Sequence, residues 1–317
     1  MQIENTLGTY TWVEDWITIP ESELGKTNGR THGVVVTKAG DVVVFHQAVP
    51  AVLIYDADGT LKASWGDFPG AHGMTLIEED GDEFLWLADE TTHVVAKYTL
   101  DGREVMTLDK PQHPLYDEGK RYVPTWAVQN PENGDIWVAN GYGCSLVHRF
   151  DKTGKQLQTL TGEEGAGRFD SPHGINIFPG ADGLELFITD RANSRIVVYD
   201  SEGNYVRSSS TCHSPCCFDV LGDRLLVPEL FCGVKVLDKN SLELIAEFGL
   251  SDRVGPCETE GRWWPPVKPE GWPNVAGTEH IQVGQLSSPH GACFAPNGDI
   301  YVVEWIIGGR VTKIQKN

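Results

Sequence analysis

Residues 287–305, "SSPHGACFAPNGDIYVVEW", repeat a pattern already present at residues 170–190, "DSPHGINIFPGADGLELFITD". Both run Ser-Pro-His-Gly, an apolar stretch, a Gly/Asp turn, a second apolar stretch and an acidic residue. Internal repeats decide architecture before any single element does, and here the pair extends to six. The units begin "RTHGVVVTKAGDVVVFHQ" at Arg30, "GAHGMTLIEEDGDEFLWLADE" at Gly70 and "VPTWAVQNPENGDIWVANGYG" at Val123. They continue with "SPHGINIFPGADGLELFITDRA" at Ser171, "SPCCFDVLGDRLLVPEL" at Ser214 and "SPHGACFAPNGDIYVVEW" at Ser288. Each of the first five is followed by a third strand and turn, such as "AVLIYDADG" or "RIVVYDSEG", and then by a fourth strand such as "KQLQTLTG".

Four antiparallel strands in a unit of roughly 40 to 50 residues are the pattern of propeller blades. The expected fold is therefore all-β: one six-bladed β-propeller domain spanning residues 1–317. The sixth unit ends at "GRVTKIQKN", one strand short, while "YTWVEDWITI" at the N-terminus has no partner of its own. An open blade would leave an unpaired edge, so residues 10–19 are expected to supply the missing strand of the last blade. One long irregular segment, residues 251–286, is rich in Pro, Gly and Trp and reads as a flap over one face or as a packed insertion.

Composition agrees with this reading and excludes several functions. With 317 residues, 35 glycines and 18 prolines, the chain favours short strands and tight turns. A formal net charge of -20 and a pI of about 4.8 argue against nucleic acid and anionic membrane as partners. The expected partner is a small-molecule substrate, and oligomeric state is left open. No apolar run approaches the ~20 residues of a membrane span. The start "MQIENTLGTYTWVEDW" lacks the basic and apolar parts of a signal peptide, which predicts a cytoplasmic protein. Seven cysteines without a CxxC pair indicate buried free thiols rather than a disulfide framework or a thiolate zinc knuckle.

The first strand of every blade lines a propeller's central channel, so equivalent positions should converge there. Those positions read His32, His72, Thr125, His173, Cys216 and His290. His72, His173 and His290 fall on alternate blades, and three imidazoles meeting at one point with an open fourth position form a catalytic zinc site. Zinc or another divalent metal is the expected cofactor. The competing reading makes "PHG" a turn in which histidine only hydrogen-bonds the backbone. His32 also faces the expected channel, as a further ligand, a base or a substrate contact, and His46 could reach the channel mouth. His93, His113, His148, His213 and His280 are read as surface or structural residues.

The ends of the second strands form another ring: His46, Asp89, Asn140, Asp190, Glu229 and Glu304. These could satisfy turn amides, or orient metal ligands and bind substrate hydroxyls. His46, Gln47, Trp126, Glu229 and Glu304 are the candidate substrate contacts. Immediately beyond the ring, Tyr142 in "NGYG" is a candidate base and Arg191 in "TDRANSR" a fixed cation for a developing oxyanion.

"TDRANSRIVVYD" resembles an NHL repeat, and the constellation is similar to the catalytic core of peptidyl-α-hydroxyglycine α-amidating lyases. The likeness is densest over residues 123–200, in "PTWAV", "GDIWVANGYGCSLVHRF", "GEEGAGRFDSPHGINI" and "ITDRANSRIVVYD"; elsewhere it covers "GAHGMTL" and "SPHGACF". The resemblance implies a zinc-dependent lyase with metal on His72, His173 and His290, Tyr142 as base and Arg191 as the blade-four arginine. Three positions depart from the lyase pattern. Gln47 stands for an arginine, Gly291 for an aspartate that contributes to a structural calcium, and His32 for a residue that is not histidine. These departures weaken the same peptide substrate and put calcium in doubt. The expected function is metal-dependent cleavage of a C–N or C–O bond in a small hydroxylated substrate, a carbinolamide or a sugar derivative. Hydrolase or epimerase chemistry on the same scaffold, or a non-catalytic NHL-type binding propeller, are the alternatives.

Overall fold

The computed structural model describes residues 1–231, 233–250 and 281–317, together with the backbone pairing of Gly255–Pro256 with Trp263–Trp264. Its sheets are six blades of antiparallel strands, and the fold is the six-bladed β-propeller that the repeat predicts. The chain divides into two compact units, residues 1–68 with 211–317, and residues 69–210. Blades one, five and six belong to the first unit and blades two, three and four to the second.

Each blade shows the same gradient of burial. In blade one the second strand, Val42–His46, is buried at every residue, whereas the outer strand, Leu61–Trp65, is exposed at all but its last. Near-continuous apolar sequence marks the inner strands because both their faces are covered; polar "LKASW" marks the edge. The turn into the outer strand repeats from blade to blade. Asp151 Oδ1 accepts the backbone amides of Thr153 and Lys155, and Asp200 Oδ1 those of Glu202 and Asn204. The glycine of each turn, Gly154 or Gly203, takes φ 86°, which explains "DKTG" and "DSEG".

Blade six is completed from the N-terminus, as expected, though over a shorter stretch. Gly8–Val13 pairs with Arg310–Lys316 in the register Tyr10↔Lys316 to Val13↔Lys313, and residues 14–19 carry no strand. A further strand that sequence reading did not anticipate, Gln2–Asn5, pairs outside it and makes this blade five-stranded. Tyr10 and Trp12 anchor the closure, packed with Val234, Phe248, Phe294 and Ile314. Arg310 reinforces it by bonding both Glu304, at 2.5 Å, and Glu14, at 2.7 Å. In the second unit Trp86, Tyr122, Ile136, Val138 and Phe150 form a core between blades two and three.

Of the segment read as a flap, residues 281–286 end in the buried Leu286, which packs in the core of the first unit; the rest lies outside the described residues except for the short pairing above. No described helix is long and apolar enough to cross a membrane. Truncating Trp12 removes the largest buried side chain of the closing strand. Trp12→Ala is expected to lower stability by about 3–5 kcal/mol, read as a fall in the urea midpoint.

Candidate active site

The four histidines of the repeat share one local geometry. In blades one and six the strand pairing passes from Thr31↔His46 to Gly33↔Phe45 and from Pro289↔Glu304 to Gly291↔Val303. In blades two and four it passes from Ala71↔Asp89 to Met74↔Leu87 and from Pro172↔Asp190 to Ile175↔Ile188. Each histidine thus lies in a β-bulge, where one extra residue re-aims a side chain that regular pleating would place otherwise. The glycine after it is required by close approach. A Cβ on Gly291 would lie 2.5 Å from the His32 carbonyl oxygen, and one on Gly73 would strike the backbone of Thr125 and Trp126.

In the second unit, His72 Nδ1 lies 2.8 Å from the Thr125 carbonyl, at the matching position of blade three. A carbonyl only accepts, so Nδ1 carries the proton and Nε2 presents a lone pair. Burial, with Arg191 adding to it, pushes the His72 imidazolium down to about 3, so the ring is neutral through the physiological range. Its Nε2 faces His173 Nε2 at 3.2 Å and Tyr142 Oη at 3.1 Å, and Tyr142 Oη lies 3.1 Å from His173 Nε2.

Three ligand-type atoms therefore form a nearly equilateral triangle. The phenol has one proton to offer, and its oxygen already accepts from Arg191 Nη2 at 3.1 Å. With His72 Nε2 bare, protons cannot fill all three edges. Ligand atoms about an ion held tetrahedrally at ~2.0–2.1 Å are about 3.3 Å apart. The two imidazole Nε2 atoms and their spacing fit two ligands of a divalent cation, with the phenol oxygen beside them.

Tyr142 is placed by its neighbours in "NGYG". A Cβ on Gly141 would strike the Pro172 carbonyl, and one on Gly143 would strike Asn140 and the Arg121 carbonyl, so the loop has no room to shift. The tyrosine is 36 % exposed, while both histidines it touches are fully buried. The triangle is therefore open to solvent on the phenol side. The half-buried Arg191 guanidinium stands 5.2 Å from the ring centroid. Trp126 is buried, its indole N–H donates to Thr75 Oγ1, and its ring centroid lies 6.2 Å from both imidazoles.

In the first unit, His290 Nδ1 meets the His32 carbonyl at 3.0 Å, the counterpart of the bond between His72 and Thr125. The His32 and His290 rings stand edge to face with centroids 4.4 Å apart, both buried. Cys216 is buried, with its thiol 3.6 Å from the Ser214 carbonyl.

The second ring serves its own blades. Asp89 accepts the amides of Gly70, Thr91 and Thr92, and Asp190 accepts that of Asp170 and pairs with Arg195. Glu229 accepts the His213 and Ser214 amides and pairs with Lys235 at 3.0 Å. Glu304 accepts those of Ser287 and Ser288 and pairs with Arg310. Both glutamates are completely buried, so they latch the loop leading into the first strand to the end of the second. His46 is buried with Nε2 on the Pro50 carbonyl at 2.5 Å, and burial lowers its imidazolium pKa. Gln47 is also buried, and its backbone amide donates to the Arg30 carbonyl.

No protein-family model matches the chain. It is 26% identical over 237 residues, 62% of its length, to peptidyl-alpha-hydroxyglycine alpha-amidating lyase 1 of Drosophila melanogaster. It is 27% identical over 213 residues, 58% of its length, to lyase 2 of the same fly. Both are amidating lyases by name. The chain covers 41% and 50% of those two proteins. In fold it is similar to a gluconolactonase of Xanthomonas campestris, with a TM-score of 0.65 at 14% identity over 98% of this chain and 91% of that one.

Two outcomes follow from this geometry. Gly291→Asp should cost about 1–3 kcal/mol, because the new Cβ meets the blade-one backbone, and added calcium should leave its urea midpoint unchanged. The second concerns His148, which is buried beside Tyr116, Tyr122 and His113; burial, and then His113, push its imidazolium down from 6.5 to about 3. The unfolded chain binds this proton first, so stability is lost as pH falls below 6.5. Asp219, raised by burial to about 6, acts in the opposite sense between 3.8 and 6. His148→Gln should therefore lose about 2 kcal/mol less than the wild type between pH 7 and pH 5, compared by urea titration at each pH.

Proposed function

We propose that the chain is an enzyme of lyase or hydrolase kind, and within that range a metal-dependent lyase acting on a small hydroxylated substrate such as a carbinolamide. The observation that carries this is the triangle of His72 Nε2, His173 Nε2 and Tyr142 Oη, braced by Arg191 and open to solvent at the phenol. The named activity of the amidating lyases supports it. In this reading His72 and His173 hold the metal, and His290 joins them on the strength of its equivalent place in the repeat. A zinc ion bound there would supply Lewis acidity toward a substrate oxygen.

The chain's own residues then do the following. Arg191, donating to Tyr142 Oη, stabilises negative charge on that oxygen and favours the phenolate. The phenolate takes the proton of the substrate hydroxyl. The O–H pair becomes the new C=O bond as the C–N bond breaks, and the nitrogen leaves as an amide after receiving the proton from Tyr142. Trp126 keeps water from the far side of both imidazoles. His32 orients the His290 ring by edge-to-face contact and takes no step.

Metal analysis of the purified protein with turnover of an α-hydroxyglycine amide tests the reading. His173→Ala should lose most bound metal and activity; undiminished metal content and turnover in that variant would rule the reading out. Tyr142→Phe should keep the metal and lower kcat by about a hundred- to ten-thousand-fold, the usual worth of a general base.

A further inference from the structure

Asn140 differs from its counterparts in the second-strand ring. Blades two, four, five and six place a carboxylate there, on Asp89, Asp190, Glu229 and Glu304. Asn140 does the same latching work through Oδ1, which accepts the Val123 amide at 2.6 Å. A backbone N–H only donates, so this contact fixes the orientation of the side-chain amide. Nδ2 is left as a donor among groups that include a backbone carbonyl, which no carboxylate could serve. It donates to Tyr116 Oη at 2.9 Å and reaches Cys144 Sγ at 3.4 Å and the Arg121 carbonyl at 3.5 Å.

These partners flank Tyr142 in the chain and in space. Cys144 follows it by two residues, and the Arg121 carbonyl is the group against which Gly143 is pressed. Tyr116 is itself held, with Oη 2.7 Å from His148 Nε2, while His148 Nδ1 meets Thr159 Oγ1 at 2.9 Å. His148 is neutral and buried, so one ring nitrogen donates and the other accepts, and both contacts are satisfied. A continuous hydrogen-bonded line thus runs from the fourth strand of blade three, through His148 and Tyr116, to the amide beneath the Tyr142 loop.

We infer that Asn140 is a positioning residue for Tyr142: its Nδ2, backed by Tyr116 and His148, fixes the loop that holds the phenol oxygen against His72 and His173. The catalytic consequence rests on the role assigned to Tyr142 above, whereas the positioning does not. A reacting group displaced by about 1 Å loses on the order of a hundredfold in rate, so a rigid seat under a loop tyrosine has a direct kinetic effect.

Asn140→Asp is the discriminating variant. Blades two and four carry aspartate at this position, so the latch to the Val123 amide survives, while the Nδ2 donor is lost and Tyr116 is presented with a second acceptor. The protein is labelled with 3-fluorotyrosine, and the Tyr142 fluorine resonance is assigned by its absence in Tyr142→Phe. In Asn140→Asp this resonance should shift or broaden, and kcat should fall about ten- to a hundredfold with KM within twofold of wild type. Tyr116→Phe, which leaves the Asn140 latch intact, should move the same resonance in a folded protein. A wild-type Tyr142 resonance in both variants would overturn the inference, whether or not the protein turns over a hydroxyglycine amide. A moved resonance with no such turnover would uphold the positioning and sink the lyase reading.

Discussion

A hydrogen bond from imidazole Nδ1 to the backbone carbonyl of a neighbouring blade governs this site. It occurs between His72 and Thr125 and again between His290 and His32. One proton committed to a carbonyl fixes the tautomer, and with it the direction in which Nε2 presents its lone pair. The bulge that lifts the histidine out of the pleat and the glycine that lets the next blade approach both serve that bond. "HG" is therefore a single device, and it recurs because the blade recurs. The backbone reading of the motif is met by Nδ1, and the opposite nitrogen is the one that the proposed metal reading would use.

The same economy appears in the second-strand ring. A buried carboxylate at the end of a strand is costly unless amides or a cation meet it. Asp89 is met by local amides and Asp190 by an amide and Arg195, while Glu229 and Glu304 combine amides with Lys235 and Arg310. Their oxygens are directed at local backbone, which holds the loop before His72, His173, Cys216 and His290 at a fixed height. Blade three uses an amide at this place, and blade three is the one that carries the exposed tyrosine.

Much of the fold was legible because repetition is legible. Six copies of one strand pattern gave the blade count, and the unmatched "YTWV" gave the closure, since an unpaired strand and an incomplete blade complement each other. The outermost strand, Gln2–Asn5, was missed because its alternation is weak and its partner is itself an added strand. At the site, repeat position singled out the histidines and, just beyond the second-strand ring, Tyr142 and Arg191, to which the likeness to amidating lyases then gave roles. What sequence could not supply was the partner of each polar group. Nothing in it pointed to the amides and cations that meet Glu229 and Glu304, or to the bond between the Trp126 indole and Thr75. The Thr125 carbonyl left no trace at all, because every residue carries one. Asn140 did leave a signal, the lone amide in a ring otherwise of carboxylates and His46, and its meaning became plain only with the donors and acceptors around it.

Gly291 shows how one departure from the lyase pattern propagates. Blade one brings the His32 carbonyl so near the Gly291 backbone that no side chain fits there. That same carbonyl receives the Nδ1 proton of His290. The close approach and the Nδ1 bond together tie blade six to blade one, so backbone holds the orientation of His290. A seat of that kind is intolerant of any residue larger than glycine, which makes position 291 a constraint on the geometry of the whole blade-six histidine.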